Sequence, residues 1–298
     1  MPLASHHDAR LARAQLALTG LSVGDAFGES MVGNPQGLRE RRISSERPWP
    51  WTDDTAMAMS IVEALAAHGD IDADDLAARF AARYQRDPRR GYGGGARKIL
   101  TAIADGKPWA AASGGAFHGG GSMGNGAAMR VAPLGAWFAD DAELAVAAAA
   151  RSAAPTHAHP DGVAGGIAVA VAATITAAMG AGLRAREGRM LISEVLLRTP
   201  PGYTHDAIRR VAHFPLDADP VTVATAVGNG SRVVASDTVP FCLWATARHL
   251  DDYAEALWTT CSVGGDIDTT CAIVGGLVVL SAGSASIPPE WLAIREPL

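Results

Sequence analysis

Two acidic segments, far apart in the chain, share one composition. Thr52, Asp53, Asp54 and Thr55 stand together in WTDDTAMAMS, and Asp266, Asp268, Thr269 and Thr270 in GGDIDTTCAIVGG. Each sets carboxylates and hydroxyls at the start of an apolar run. Either segment alone reads as a helix cap, because Thr and Asp accept the free N–H groups of a first turn and complement its positive end. Taken together they point elsewhere. Four carboxylates brought near a core repel one another and lose hydration, at several kcal/mol each, unless positive charge compensates them. A donor set of oxygens without His or Cys suits Mg2+, Mn2+ or Ca2+ rather than zinc, and two helix starts can hold two ions about 3.5–4 Å apart.

A third segment, GGAFHGGGSMGNGAAMRVAP from Gly114 to Pro133, is rich in glycine and leads into a helix expected near Gly126. Backbone N–H groups of Gly119, Gly120, Gly121, Ser122 and Gly124 would form a cradle for an anion such as phosphate. The spacing is neither that of a Walker A loop nor that of a Rossmann fingerprint. A loop that is merely flexible is the competing reading. His157 and His159 in THAHPDG precede an apolar run, where a histidine more often caps or packs than reacts. In GLSVGDAFGES, Asp25 reads as a helix-breaking cap and Glu29 as an exposed acid.

Helices must position these segments. Apolar residues at i, i+3, i+4 and i+7 predict helices over 11–20, 55–68, 72–84, 96–104, 141–151, 163–181, 251–261 and 269–282. Strand-type alternation is almost absent, and the glycine and proline clusters at 91–95, 114–126, 199–203 and 227–231 read as loops on one scaffold. The expectation is an all-α fold, a single compact multi-helix domain spanning residues 1–298, with a two-metal centre at converging helix ends.

Composition narrows the class. With 298 residues, 48% hydrophobic and 19% charged, the chain can bury a large core, and a net charge of -6 with a pI near 5.8 offers no basic stripe for nucleic acid. Cys242, Cys261 and Cys271 are odd in number and lack metal spacing, so they read as buried small hydrophobes in a reducing cytosol. His6, His7 and Asp8 interrupt what a signal peptide would need, so a cytoplasmic protein is expected. Residues 162–183 carry no charge except at their flanks and include Gly162-x-x-x-Gly166, but their Ala, Gly and Thr content favours a buried helix over a membrane span.

In order along nearly the whole chain, GLSVGDAFGES, WTDDTAM, RGYGGGARKIL, GSMGNGAAMRVAPLG, THAHPDGVAGG, SDTVPFCLWA and GGDIDTTCAIVGGL resemble the ADP-ribosylglycohydrolase family. That resemblance implies an all-α hydrolase with two Mg2+ (or Mn2+) that cleaves the N- or O-glycosidic bond between ADP-ribose and an acceptor. Its metal ligands fall on Thr52, Asp53, Asp54, Asp266, Asp268 and Thr269, with Asp54 also catalytic. Its pyrophosphate and ribose contacts fall on Gly121, Ser122, Met123, Gly124, Asn125, Gly126 and His157. One position departs: where the family commonly carries a glutamate facing the scissile bond, this chain has Val32. Glu29, one helical turn earlier, is the expected substitute, and Asp87 the next candidate.

The implied partner is an ADP-ribosylated protein or small molecule, with nucleic acid only as a modified substrate, no membrane, and a monomeric chain. Two other classes compete. A non-catalytic ADP-ribose binder would bind without turnover, and a metal-dependent nucleotide-sugar transferase would need a strand-rich fold.

Overall fold

Glycines at positions 20, 24 and 28, four residues apart, place one ridge without side chains along the first helix. The structure is a computed structural model that describes residues 3–44 and 48–298; Met1 and Pro2, the start of the segment weighed as a signal peptide, lie outside them. In it that helix, α1 (His7–Met31), runs through the GDA segment instead of stopping at Gly20. The ridge packs on the helix that begins at the second acidic segment. A Cβ on Gly20 would meet the Gly275 carbonyl at 2.5 Å, one on Gly24 the Cys271 carbonyl at 2.1 Å, and one on Gly28 the Ile267 carbonyl at 2.5 Å. The two helices therefore run antiparallel with backbones in contact. Three interior glycines cost roughly 0.5–1 kcal/mol each in helix propensity, and close packing overrides that cost.

From the N-terminus, α1 is followed by α2 (Pro35–Glu40), α3 (Asp53–His68), α4 (Ala73–Arg86), α5 (Gly94–Ala104) and α6 (Trp109–Gly114). A one-turn 3-10 segment at Phe117–Gly119 precedes α7 (Gly126–Met129), α8 (Ala132–Trp137), α9 (Ala142–Ala153) and α10 (Pro160–Gly180). The rest comprises α11 (Gly188–Arg198), α12 (Tyr203–Val211), α13 (Pro220–Val227), α14 (Ala235–Arg248), α15 (Tyr253–Cys261), α16 (Ile267–Ala282) and α17 (Pro289–Ile294). Among the described residues no strand forms; only isolated bridges pair Trp49 with Arg295 and Gly124 with Val234. The expected helices are all present, and α2, α6, α8, α11 to α14 and α17 are additions. In α14 an interior Pro240 broke the sequence signal.

One contiguous core joins residues from Ala14 to Ile294, with Phe27, Trp137, Phe241 and Trp244 fully buried. At its centre α10 packs against α7, α8, α9, α11, α14 and α16. By length and hydropathy α10 matches a membrane span, yet 89% of its most apolar window is buried in the protein. Gly162 in that helix lets the glycine-rich loop settle onto it, since a Cβ there would lie 2.5 Å from the Ser122 carbonyl oxygen. The three cysteines are free and buried.

Candidate active site

Both acidic segments do begin helices, and they begin them side by side. Thr52 is the N-cap of α3, its hydroxyl accepting the Asp54 N–H, while Asp266 holds the same position on α16. Asp25, expected to break a helix, sits instead inside α1 and is fully buried. Its carboxylate accepts the Thr52 N–H at 2.9 Å, the Thr52 hydroxyl at 2.9 Å, the Thr55 N–H at 3.1 Å and the Thr55 hydroxyl. Asp25 thus caps α3 from another helix and fixes where Asp53 and Asp54 stand.

The carboxylates that converge here share one field. Burial pushes Asp53 up to about 8, helped by Asp25 and Asp268. Burial likewise takes Asp25 to about 7, against the pull of its hydrogen bonds, and Asp266 to about 6 with Asp268 adding. Asp54, 1% exposed, is pushed well above the usual carboxylate range by burial and by the other four aspartates. Its Oδ2 accepts from the Thr52 hydroxyl at 3.0 Å, but its Oδ1 has no hydrogen-bond partner. Among the described residues no three His, Cys, Asp or Glu side chains close on one coordination point; the acids ring one end of a cavity instead.

That cavity measures about 690 Å³ and is lined by Asp53, Asp266, Asp268 and Thr269 at the acidic end and by residues 120–126 along one wall. Gly121, Ser122, Met123, Gly124, Asn125, Gly126 and His157 all line it, as expected, whereas Thr52 and Asp54 stand behind the lining. The amide of Asn125 ties the two parts together, donating to Asp266 Oδ2 at 2.7 Å and to the Thr238 hydroxyl at 3.1 Å.

The anion cradle is narrower than the glycine count suggested. The N–H groups of Gly119 and Gly121 bond to the Ala116 carbonyl at 3.1 and 3.0 Å, that of Gly120 to the Phe117 carbonyl, and that of Gly124 to the Ser122 hydroxyl. Among the described residues the N–H groups of Ser122, Met123 and Gly126 meet no acceptor, so these carry whatever cradle there is. The helix expected after Gly126 is a single four-residue turn.

Glu29 is half-buried near the C-terminal end of α1, where the Gly28 contact brings it beside Asp268. Burial and the Asp268 charge raise it above the usual carboxylate range. It does not line the cavity, although its neighbour Asp268 does. Val32 does not share its face: the helix ends at Met31, and Val32 is extended and 57% exposed. Asp87 is no alternative, since it pairs with Arg90 Nε at 2.8 Å and does not line the cavity, while Arg90 stacks on Trp51. Sequence reasoning took Asp25 for a local cap and left out the buried Arg130 and Thr156 and the apolar wall of Ile99, Phe117 and Val233. Only the adjacency of Arg130 to the glycine-rich loop hinted at any of them.

Residues 6–296 match the profile described as ADP-ribosylglycohydrolase. The chain belongs to the ADP-ribosylglycohydrolase family. It is a hydrolase of ADP-ribosyl linkages. It is 29% identical to the ADP-ribosylhydrolase ARH3 of Mus musculus over 279 residues, covering 81% of this chain and 72% of the relative. It is 28% identical to the ADP-ribosyl-[dinitrogen reductase] glycohydrolase of Rhodospirillum rubrum, over 94% of this chain and 89% of that one. A solved structure titled ADP-ribosylglycohydrolase-related protein complex superposes with a TM-score of 0.69 at 28% identity, covering 96% of this chain and 93% of the other.

Proposed function

We propose that this ADP-ribosylglycohydrolase cleaves the bond from C1 of the terminal ribose of ADP-ribose to a protein or small-molecule acceptor, at the acidic end of the cavity. Thr52, Asp53, Asp54, Asp266, Asp268 and Thr269 are the residues to hold two Mg2+ or Mn2+. The donor set fits: it is all oxygen, Asp53 and Asp54 are buried with no salt bridge to a cationic side chain among the described residues, and Asp54 Oδ1 is orphaned. Bound there, the ions supply Lewis-acid polarisation of ribose hydroxyls and of water.

The chain's own residues do the rest. The free N–H groups of Ser122, Met123 and Gly126, with Asn125 and His157, hold the pyrophosphate and ribose so that C1 lies at the acidic end. The carboxylates there stabilise positive charge developing on the ribose as the C1 bond to the acceptor breaks. Glu29, raised by burial, keeps a proton to higher pH than an exposed glutamate and gives it to the departing acceptor, while the attacking water loses one to a neighbouring carboxylate. We place the enzyme in the cytosol as a monomer.

The observation that carries this reading is the convergence of Asp53, Asp54 and Asp266, each raised by burial and by neighbouring carboxylates, with Asp268 at one end of a cavity whose wall is the glycine-rich loop. Mass spectrometry of products from a panel of ADP-ribosylated arginine, serine and nucleic-acid substrates, with and without chelator, tests it. Release of free ADP-ribose that stops on chelation is expected. Binding of ADP-ribose with no turnover on any substrate would leave only a binding protein.

A further inference from the structure

Arg130 lines the cavity, yet it is 1% exposed and forms no ion pair among the described residues. Its guanidinium lies over the Phe80 ring at 4.4 Å, and Nη1 approaches Met57 Sδ at 3.5 Å. Nη2 donates to the Ser152 carbonyl at 3.0 Å and to the Thr156 hydroxyl oxygen at 2.9 Å, while Nε has no partner. Burying an unpaired cation is costly, so a position that keeps one needs a reason.

The reason lies one hydrogen bond further on. Thr156 Oγ1 is 2.8 Å from His157 Nδ1. A guanidinium can only donate, so one lone pair of Oγ1 is taken by Arg130, and the hydroxyl proton has Nδ1 as its one acceptor in reach. The alternative, Nδ1–H donating to the second lone pair of Oγ1, would strand the buried hydroxyl proton, so the hydroxyl donates to a bare Nδ1 and in a neutral ring the proton sits on Nε2. The ring is neutral, because burial and the Arg130 charge both push His157 down, to about 3. Nε2 faces the floor of the glycine-rich loop: a Cβ on Gly124 would stand 3.4 Å from it, and one on Gly126 3.0 Å from Cε1.

We infer that Arg130 is a positioning residue that, through the Thr156 hydroxyl, locks His157 as a neutral Nε2–H donor aimed at the anionic part of the ligand. The inference rests on the reading of the cavity as an ADP-ribosyl site. It gives the buried cation a role beyond its longer-range attraction to Asp53: a positive charge stands behind neutral donors, where it strengthens them.

The tautomer of His157 is read directly from 15N chemical shifts and two-bond couplings in the ligand-free protein, and ADP-ribose affinity from calorimetry. Wild type is expected to show Nε2–H. Thr156→Val keeps the shape but removes the relay; it should give a mixture of tautomers and an ADP-ribose Kd raised about tenfold or more, as for loss of a hydrogen bond to a charged group. Thr156→Ser should restore both. Arg130→Met should also release the tautomer, and if that variant does not fold, the Thr156 pair carries the test. An Nδ1–H ring in wild type, or a Thr156→Val protein with unchanged tautomer and affinity, overturns the inference. Wild type with the Nε2–H ring but no affinity for ADP-ribose would count against the ADP-ribosyl reading and not against the relay.

Discussion

The carboxylate of Asp25, in the C-terminal third of α1, receives the backbone N–H of Thr52 at 2.9 Å, so the first helix caps the helix that begins the acidic centre. Thr55 adds its own N–H and hydroxyl to the same carboxylate. A side chain that satisfies four buried donors from another element sets the register of Asp53 and Asp54 as firmly as any local cap.

Removing that acceptor should cost stability and position together. Asp25→Ala leaves the N–H groups of Thr52 and Thr55 and the Thr55 hydroxyl unpaired in the core, while the Thr52 hydroxyl keeps Asp54 Oδ2, at about 1–3 kcal/mol for each group that finds no new partner. A fall in melting temperature of about 5 °C or more is expected by calorimetry, along with loss of Mg2+-dependent stabilisation. Wild-type melting behaviour in this variant would show that Asp25 does not organise the centre.

The raised aspartates fix a pH dependence for the metal-free protein. Asp25 and Asp53 titrate near 7 and 8 when folded and near the usual carboxylate value of about 3.9 when unfolded. Between pH 6.5 and 8 the folded chain therefore holds protons that the unfolded chain has released, and by linkage stability falls as pH rises. His157, held down to about 3, contributes stability that is fully present above about pH 6.5 and lost below it, so it does not disturb this window. In chelator the melting temperature should drop across it, because the free energy of unfolding falls by about 1.4 kcal/mol per pH unit for each proton retained. Added Mg2+ should raise it more at pH 8 than at 6.5. A melting temperature that climbs with pH in chelator would refute the cluster's electrostatics.

Neither acidic segment has enough donors alone, so each should be necessary for cation binding. Asp53→Ala or Asp268→Ala is expected to abolish Mg2+-dependent stabilisation, with helix content unchanged by circular dichroism. Unchanged Mg2+ affinity in both variants, by isothermal titration, would separate the segments from metal binding. Chelation should stop turnover of the wild type without unfolding it.

Glu29→Gln should lower kcat by about 10²-fold or more while ADP-ribose and Mg2+ affinities change little, because proton transfer to the acceptor is worth about that much. Asp87→Asn should leave turnover unaltered, since Asp87 is engaged by Arg90 away from the cavity. Wild-type turnover in Glu29→Gln would mean that the acceptor leaves without help from this carboxylate.

Helix content, the glycine-rich loop and the placement of Thr52, Asp53, Asp54, Asp266, Asp268 and Thr269 at two helix starts were legible in the sequence because each rests on local signals: apolar spacing, capping chemistry and acids at helix starts. What lay beyond reach depended on partners distant in the chain. The helix expected over 11–20 ends at Gly20 until α16 is set against Gly20, Gly24 and Gly28, and then these are the surface that lets two backbones touch. Asp25 reads as a breaker until Thr52, 27 residues on, fills its carboxylate. The glycine N–H groups counted for an anion cradle are mostly spent inside their own turn, a matter of backbone conformation that composition does not encode. Glu29 and Val32 are close in number but fall on either side of a helix end, so one meets Asp268 and the other meets solvent. Local chemistry names the groups, and long-range packing decides which of them face one another.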